Sequence, residues 1–197
     1  MKESYPDAVV MVFGSCASGL NLPKSDIDLL VYNPDVKDLT MLNKLSNTLY
    51  RAGICKSIEA LKHTKVPLIK LVDKKTGINL DISFNRTNGI YCVKLVKYLQ
   101  KKYPELRPLI LVLKAFLKSR KLNETYHGGV GSFLLTMMVT SYLQREYKKG
   151  GTDKIDLGRH FIEFLNLYGN IFNYERVGIS IRKEGLYFCK EKKGWIG

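Results

Sequence analysis

Two aspartates separated by a single residue lead directly into an apolar run, and this pairing constrains the fold more than any other feature of the chain. Asp26 and Asp28 flank Ile27, and Leu29-Leu30-Val31 follows. Because side chains alternate along a strand, both carboxylates would point to one face while Ile27 points into the core. Adjacent carboxylates repel each other unless a cation lies between them. An exposed turn is the alternative, but the apolar continuation argues against it.

A third aspartate lies in a second β-rich apolar segment. Asp81 sits within residues 78–84, between Leu80 and Ile82. In a strand these two apolar side chains would point to the face opposite that of Asp81. Three carboxylates that converge from adjacent strands would form a hard-oxygen site suited to Mg²⁺, with Mn²⁺ as an alternative ion. Such a site can hold two ions during an in-line displacement at phosphorus. Asp26, Asp28 and Asp81 are therefore the predicted catalytic and metal-binding residues.

A Gly-Ser pair follows the first apolar run of the chain, residues 8–13. This run is almost continuously apolar, which predicts a strand buried on both faces. Gly14 and Ser15 then precede small residues that could begin a helix, and the absent side chain of Gly14 would let a phosphate approach the backbone N–H groups. The alternative is that Ser15 only caps a helix.

The composition favours a polyanionic partner. The net charge is +14, from 32 Lys+Arg against 18 Asp+Glu, and such an excess favours nucleic acid through steering and counterion release. The chain has no apolar run of about 20 residues, as a bilayer span requires, and its first residues lack the apolar core of a signal peptide. These features predict a soluble, intracellular protein without a membrane partner.

The four scattered cysteines indicate reduced, mostly buried thiols rather than a zinc site or a disulfide framework.

The hydrophobic pattern changes along the chain from strands to helices. The sequence predicts an α+β fold, in which a small mixed β-sheet domain at 1–88 precedes a mainly helical domain at 89–197 with a terminal β-hairpin. An amphipathic helix is expected at 36–52, and a flexible link at 148–151. Strands are predicted at 8–13, 26–32, 57–61, 68–72, 78–84, 177–181 and 186–188, and further helices at 90–102, 107–121, 132–147 and 156–168.

Three short motifs follow one another in order. They are G-S-x-x-x-G-L at 14–20, S-D-I-D-L at 25–29 and N-L-D-I-S-F at 79–84. Together they resemble the polymerase-β nucleotidyltransferase superfamily. Segments that begin at Leu106, His127 and Leu157 narrow the resemblance to the non-canonical poly(A) polymerases of the nuclear TRAMP surveillance complex. The resemblance spans the chain from about Pro6 to Cys189.

This resemblance implies a fold and an activity. It implies a palm domain followed by a helical central domain that is incomplete at its C-terminus, and template-independent transfer of AMP from ATP to an RNA 3′ end with two metal ions. From the residues alone, Lys114 and Lys118 could be a solvated basic face, Ser132 a helix cap, and Phe133 a core residue. The residues implied to bind the nucleotide are Gly14, Ser15, Ser25, Lys114, Lys118, Ser132 and, for the base, Phe133.

The family also implies partners and a location. The partners are a zinc-knuckle RNA-binding protein and an RNA helicase that feeds the exosome, and the location is the nucleus. Two other functions stay open. A terminal uridylyltransferase would share the carboxylates and differ in how it reads the base. A catalytically weak scaffold is the other, because the segment that recognises the base in relatives is expected beyond Gly197.

Overall fold

The structure, a computed structural model, describes residues 5–150 and 156–195. The chain divides into two units, Met1–Lys97 and Tyr98–Gly197. This division falls within a helix, Asn88–Lys102. The domain boundary predicted between residues 88 and 89 lies at the start of that helix and stays a prediction. The end of the predicted link, at Gly151, lies outside the described residues.

A five-stranded mixed sheet forms the first unit. Its strands are β1 (Val9–Phe13), β2 (Ile27–Tyr32), β3 (Cys55–Leu61), β4 (Leu68–Asp73) and β5 (Asn79–Phe84). The spatial order is β1-β2-β5-β4-β3, in which β2 and β5 run parallel and the other neighbours are antiparallel. The five strands predicted for this part of the chain are therefore confirmed to within two residues at each end.

Helix α2 (Asp38–Arg51), which follows the short helix α1 (Gly14–Ser18), covers one face of the sheet. Burial of one large aliphatic side chain contributes about 1.5–3 kcal/mol, so this face anchors the unit. Since strand side chains alternate, the residues between these apolar ones point to the opposite face. The buried core consists of Val31, Met41, Leu42, Leu45, Ile69, Leu71, Ile82 and Phe84.

A tight loop joins β4 to β5, as predicted. The Asp73 carboxylate accepts hydrogen bonds from the Thr76 hydroxyl at 2.7 Å and from the Thr76 N–H at 2.8 Å. These bonds lower the pKa of the Asp73 carboxyl below its ordinary value. Gly77 adopts a left-handed conformation, with φ of 70°. The loop fixes the register that places Val72 opposite Asn79.

Two predictions about burial are wrong. Strand β1 forms the edge of the sheet, and Val9, Val10 and Val12 remain 52%, 51% and 50% exposed. An apolar run does not by itself distinguish a central strand from an edge strand, because the neighbours of a strand are set by distant segments.

All four cysteines, at 16, 55, 92 and 189, carry free thiols that are partly exposed rather than mostly buried.

The helices and the terminal hairpin predicted for the second part of the chain are confirmed. A π-helical turn, Leu167–Ile171, and two short 3₁₀ turns, Thr125–His127 and Glu191–Lys193, were not predicted. No helix among the described residues is both long enough and apolar enough to cross a membrane. The elements are α3 (Asn88–Lys102), α4 (Leu106–Ser119), α5 (Ser132–Lys148), α6 (Leu157–Asn166), β6 (Val177–Ser180) and β7 (Leu186–Cys189).

Helix α5 is the most deeply buried helix of the second unit, since apolar residues such as Leu135, Val139 and Leu143 are at most 2% exposed. Its polar side chains hold neighbouring segments in place. The Gln144 amide donates a hydrogen bond of 3.0 Å to the carbonyl of Ile181, at the end of β6. This bond docks the hairpin on α5.

A buried hydrogen-bond network joins α5 to α6. The Tyr142 phenol donates to Glu163 Oε2 at 2.8 Å and lies 2.9 Å from His160 Nδ1. Because a phenol has only one proton, the His160 nitrogen must donate to the phenol oxygen. Burial, reinforced by Glu163, raises the pKa of Tyr142 well above its ordinary value. The histidine, which is 1% exposed, therefore has a structural role.

Removal of the Tyr142 hydroxyl should destabilise the second unit. We expect Tyr142→Phe to lower the free energy of unfolding by about 1–3 kcal/mol, because His160 loses its partner in a buried setting. Urea unfolding of the full chain measures this change. Tyr50→Phe is the matched control, since the Tyr50 side chain is 74% exposed. Equal stability of the two variants would contradict the assignment.

Candidate functional site

One row of side chains crosses the polar face of the sheet through all five strands. The strand register makes Phe13, Asp28, Asp81, Lys70 and Glu59 successive neighbours, from β1 to β3. Neighbouring strands lie about 4.8 Å apart, so Asp28 and Asp81 stand side by side. The row therefore places two carboxylates next to each other, with a lysine beside the second.

Gly14 approaches Asp28 so closely that a side chain at this position would force Asp28 to move. A Cβ atom at this position would lie 2.0 Å from Asp28 Oδ2, and the glycine has a φ of 66°. Only glycine adopts this left-handed backbone at no steric cost. The predicted small-residue turn after β1 thus serves to bring the backbone against a carboxylate.

Ser15 does not cap a helix. The N-cap position of α1 is Phe13, without a side-chain hydrogen bond, and Ser15 lies inside this single helical turn. Its carbonyl accepts a hydrogen bond of 3.0 Å from the Leu20 N–H. The capping alternative for Ser15 is therefore wrong, and its role at a nucleotide stays a prediction.

The Asp81 carboxylate is ion-paired with Lys70. The Lys70 ammonium lies 3.3 Å from Asp81 Oδ2, and the two side chains are 50% and 27% exposed. Lys70 faces the acidic side of the sheet because it alternates with Ile69 and Leu71, which belong to the core. The ion pair therefore follows from the strand pattern of β4 and its register with β5.

Asp26 is positioned differently from the other two aspartates. It immediately precedes β2, and its Oδ1 accepts a hydrogen bond of 3.0 Å from the Asn79 amide. Asp26 lines one pocket of about 300 Å³, Asp28 lines a second of about 470 Å³, and Asp81 lines both. Within residues 5–150 and 156–195, no three His, Cys, Asp or Glu side chains are gathered closely enough to hold a metal ion.

The donor chemistry nevertheless fits a hard divalent cation. Carboxylate oxygens are the protein ligands that Mg²⁺ takes, together with water and substrate phosphates. Asp28 and Asp81 fit such an ion as a cross-strand pair. Asp26 is held by the Asn79 amide and lines only the first of the two pockets. The arrangement of this site is thus one carboxylate pair plus a third carboxylate held aside by a neutral amide.

Ser25 closes the turn before β2. Its hydroxyl accepts a hydrogen bond of 2.9 Å from the Leu22 N–H, and its own N–H donates to the Leu22 carbonyl at 3.0 Å. Ser25 therefore fixes the backbone that leads into Asp26. Its predicted contact with a nucleotide stays a prediction.

The predicted nucleotide-binding residues of the second unit lie on α4 and at the start of α5. Lys114 is partly buried and Lys118 is exposed, four residues apart on α4. Ser132 is the first residue of α5, and the cap position belongs to Gly131. Phe133 is 47% exposed, so the alternative that it is a core residue is wrong. An exposed aromatic ring remains available for stacking on a base.

Two residues of the site were missed by the sequence analysis. Lys70 contacts Asp81, and Asn79 contacts Asp26. The contact of Lys70 with Asp81 could have been predicted from the hairpin loop, because the loop sets which residues of β4 and β5 face each other. With Val72 opposite Asn79, a count of two residues along each strand places Lys70 opposite Asp81. The register of a predicted hairpin therefore carries information about site neighbours.

Two family models match the chain. The model described as the central palm domain of poly(A) RNA polymerase, mitochondrial-like, matches residues 1–101. The chain belongs to this family of poly(A) RNA polymerases. A second model, described as Cid1 family poly A polymerase, matches residues 156–197. The first match covers all three aspartates and Gly14.

Individual relatives agree with this family. Poly(A) RNA polymerase CID14 of Cryptococcus neoformans is 39% identical over 202 residues, which cover 100% of this chain and 26% of that protein. The polymerase core of TRAMP, an RNA surveillance complex, matches with 36% identity and a TM-score of 0.85 over 96% of this chain and 61% of that one. The resemblance to TRAMP-type poly(A) polymerases is therefore confirmed. The chain spans about a quarter of the curated relative's length.

Two further similarities bear on the open alternatives. A Cid1 poly(U) polymerase variant solved with MgATP matches with 25% identity and a TM-score of 0.86, over 98% of this chain and 71% of that one. A Drosophila melanogaster relative, named an inactive non-canonical poly(A) RNA polymerase, is 37% identical over 198 residues, which are 95% of this chain and 47% of that protein. Membership of the family therefore does not by itself establish turnover or base choice.

Two glycines allow a matched test of the contact with Asp28. Both Gly14 and Gly19 have positive φ, but a Cβ at Gly19 would meet nothing within 4 Å. Gly19→Ala should therefore lower the free energy of unfolding only by the backbone strain, about 1–2 kcal/mol. Gly14→Ala should lower the free energy of unfolding clearly more, since Asp28 must also move. Urea unfolding compares the two variants, and equal losses of stability would show that the close approach is unimportant.

Proposed function

We propose that this chain transfers AMP from ATP to the 3′ end of an RNA, without a template and with release of pyrophosphate. The observation that carries the proposal is the register pairing of Asp28 with Asp81, with Gly14 against Asp28, in a member of the poly(A) RNA polymerase family. The net charge of +14 suits an RNA partner. The names of the relatives support AMP as the transferred group.

The reaction requires one bond to form and one to break. The RNA 3′-hydroxyl oxygen bonds to the α-phosphorus of ATP, and the bond from that phosphorus to the bridging oxygen breaks. The hydroxyl proton passes to solvent, and pyrophosphate leaves with the bonding electrons. No covalent protein intermediate is needed. The protein contributes positioning and compensation of negative charge.

Asp28 and Asp81 are the residues proposed to hold Mg²⁺, and Asp26 completes the set once it releases Asn79. Manganese would suit the same oxygens. A bound divalent cation would supply charge neutralisation at the phosphoryl group and acidify the attacking hydroxyl. The similar Cid1 structure with MgATP supports Mg²⁺ as the ion and a nucleoside triphosphate in general as the substrate. The carboxylates themselves would hold and orient the ion.

The nucleotide contacts are proposed separately for each unit. In the first unit, small residues after β1 and before β2 leave room for phosphate oxygens. In the second, two lysines on α4 offer positive charge, and an exposed ring offers a stacking face worth about 1–3 kcal/mol per base. The proposed contacts are Gly14, Ser15 and Ser25, then Lys114, Lys118, Ser132 and Phe133.

The family supports a setting for this activity. We propose that a zinc-knuckle RNA-binding protein and an RNA helicase assist the chain in the nucleus. The similarity to the polymerase core of a surveillance complex supports this proposal. Because the RNA contacts would come mainly from surface lysines and arginines, affinity for RNA should fall steeply with added salt.

Loss of one paired carboxylate should abolish transfer. We expect Asp28→Asn to lower turnover on an RNA primer more than about 100-fold, because loss of outer-shell partners alone costs about 10–100-fold at metal sites. Primer extension with saturating Mg²⁺ and ATP measures this. Asp35→Asn, at an exposed loop position, removes the same charge and should keep wild-type turnover. Normal turnover of Asp28→Asn would refute the proposed chemistry.

A comparison of nucleotides separates the competing functions. We expect the wild-type chain to extend one RNA primer faster with ATP than with UTP, CTP or GTP. Preference for UTP would instead indicate a uridylyltransferase, which the similarity to Cid1 poly(U) polymerase makes the second candidate. No extension with any nucleotide, and no release of pyrophosphate, would indicate a scaffold; the Drosophila melanogaster relative named as inactive makes this outcome a real alternative.

A further inference from the structure

Lys70 contacts a carboxylate of the candidate site but has no role in the proposed reaction. In the row across the sheet it lies between Asp81 on one side and Glu59 on the other. Its ammonium lies 3.3 Å from Oδ2 of Asp81. Since Lys70 also lines the pocket that contains Asp26 and Asn79, any change in its position affects the surroundings of two of the three aspartates.

The ion pair restricts a torsion that is otherwise soft. The terminal torsion of an aspartate is broad and roughly two-fold, so an unpartnered carboxylate samples many orientations. A cation that holds Oδ2 selects one of them and leaves the second oxygen, Oδ1, for another ligand. The lysine also offsets the repulsion between Asp81 and Asp28, which stand side by side. Both effects keep Asp81 beside Asp28 before an ion arrives.

We propose that Lys70 is the positioning residue for Asp81: it fixes this carboxylate so that its free oxygen and the Asp28 carboxylate receive the divalent cation. This inference rests on the proposed role of the two carboxylates as a cation site. Lys70 itself contacts neither the cation nor the reacting atoms. It acts through Asp81, as partners of metal ligands commonly do.

A different role for Lys70 would be contact with RNA or triphosphate. Half of its side chain is exposed, so it is accessible to an anion. The two roles predict different losses. A lysine that contacts RNA changes the KM for RNA and leaves cation affinity alone. A lysine that positions Asp81 changes cation affinity even when no RNA or nucleotide is present.

The test is a titration of the full 197-residue chain with Mn²⁺, followed by electron paramagnetic resonance, without nucleotide or RNA. We expect Lys70→Met to bind Mn²⁺ about 10–100-fold more weakly than the wild type, the loss typical of outer-shell partners. Lys70→Arg, which keeps the ion pair, should bind nearly as well as the wild type. Lys74→Met is the matched control, since it removes the same charge from the exposed β4–β5 loop.

Each outcome decides one question. Equal Mn²⁺ affinity of the wild type and Lys70→Met would overturn the proposal, as would an equal loss in Lys74→Met or no saturable binding by the wild type. Lys70→Gln provides a second variant, and thermal unfolding shows whether each variant is folded. If Mn²⁺ binding depends on Lys70 but no RNA is extended, the proposed function fails and the positioning role stands. If RNA is extended while Lys70→Met binds Mn²⁺ normally, only the positioning role fails.

Discussion

The parallel pairing of β2 with β5 is the constraint on which the candidate site depends. It places Asp28 directly beside Asp81, although the two are 53 positions apart in sequence. A slip of one residue would bring Asp28 opposite Ile82 and turn one set of side chains to the wrong face. The core opposes such a slip, because Val31 and Ile82 are 2% and 5% exposed on the face that packs under α2. Burial of apolar residues on one face therefore fixes the carboxylates on the other.

This arrangement brings together carboxylates that repel each other, and neighbouring side chains offset part of the repulsion. Asp81 has an ammonium partner, Lys70, and Asp26 has a neutral amide partner, Asn79. These partners offset the repulsion only in part, since an ion pair that is open to solvent contributes only about 0–1 kcal/mol. The acidic row also lies in a chain of net charge +14. A polyanionic substrate is attracted by the chain as a whole, whereas the row itself can accept phosphate only together with a cation.

The sequence predicted the strands and helices better than it predicted the contacts between side chains in the candidate site. The alternation of apolar residues along each strand and the spacing of leucines in α2 indicate which face is apolar. The predicted positions of the strands and helices were therefore correct. The edge position of β1 was missed, because its neighbours depend on pairing with distant segments. The position of Ser15 inside α1, rather than at its cap, was missed because one helical turn is too short to show a period. Asn79 was missed for a further reason: its contact with Asp26 crosses 53 residues.

A family member can keep this fold and lose turnover, as the name of the Drosophila melanogaster relative indicates. The distinction must therefore come from side chains and not from the sheet. A scaffold needs its apolar face, but it has no physical need for a carboxylate pair in a basic protein. It also has no need for Gly14, whose left-handed backbone favours glycine and whose missing Cβ leaves the space that Asp28 Oδ2 occupies. The close contact of Gly14 with Asp28 is thus a feature of the side chains that the apolar face of the sheet does not require.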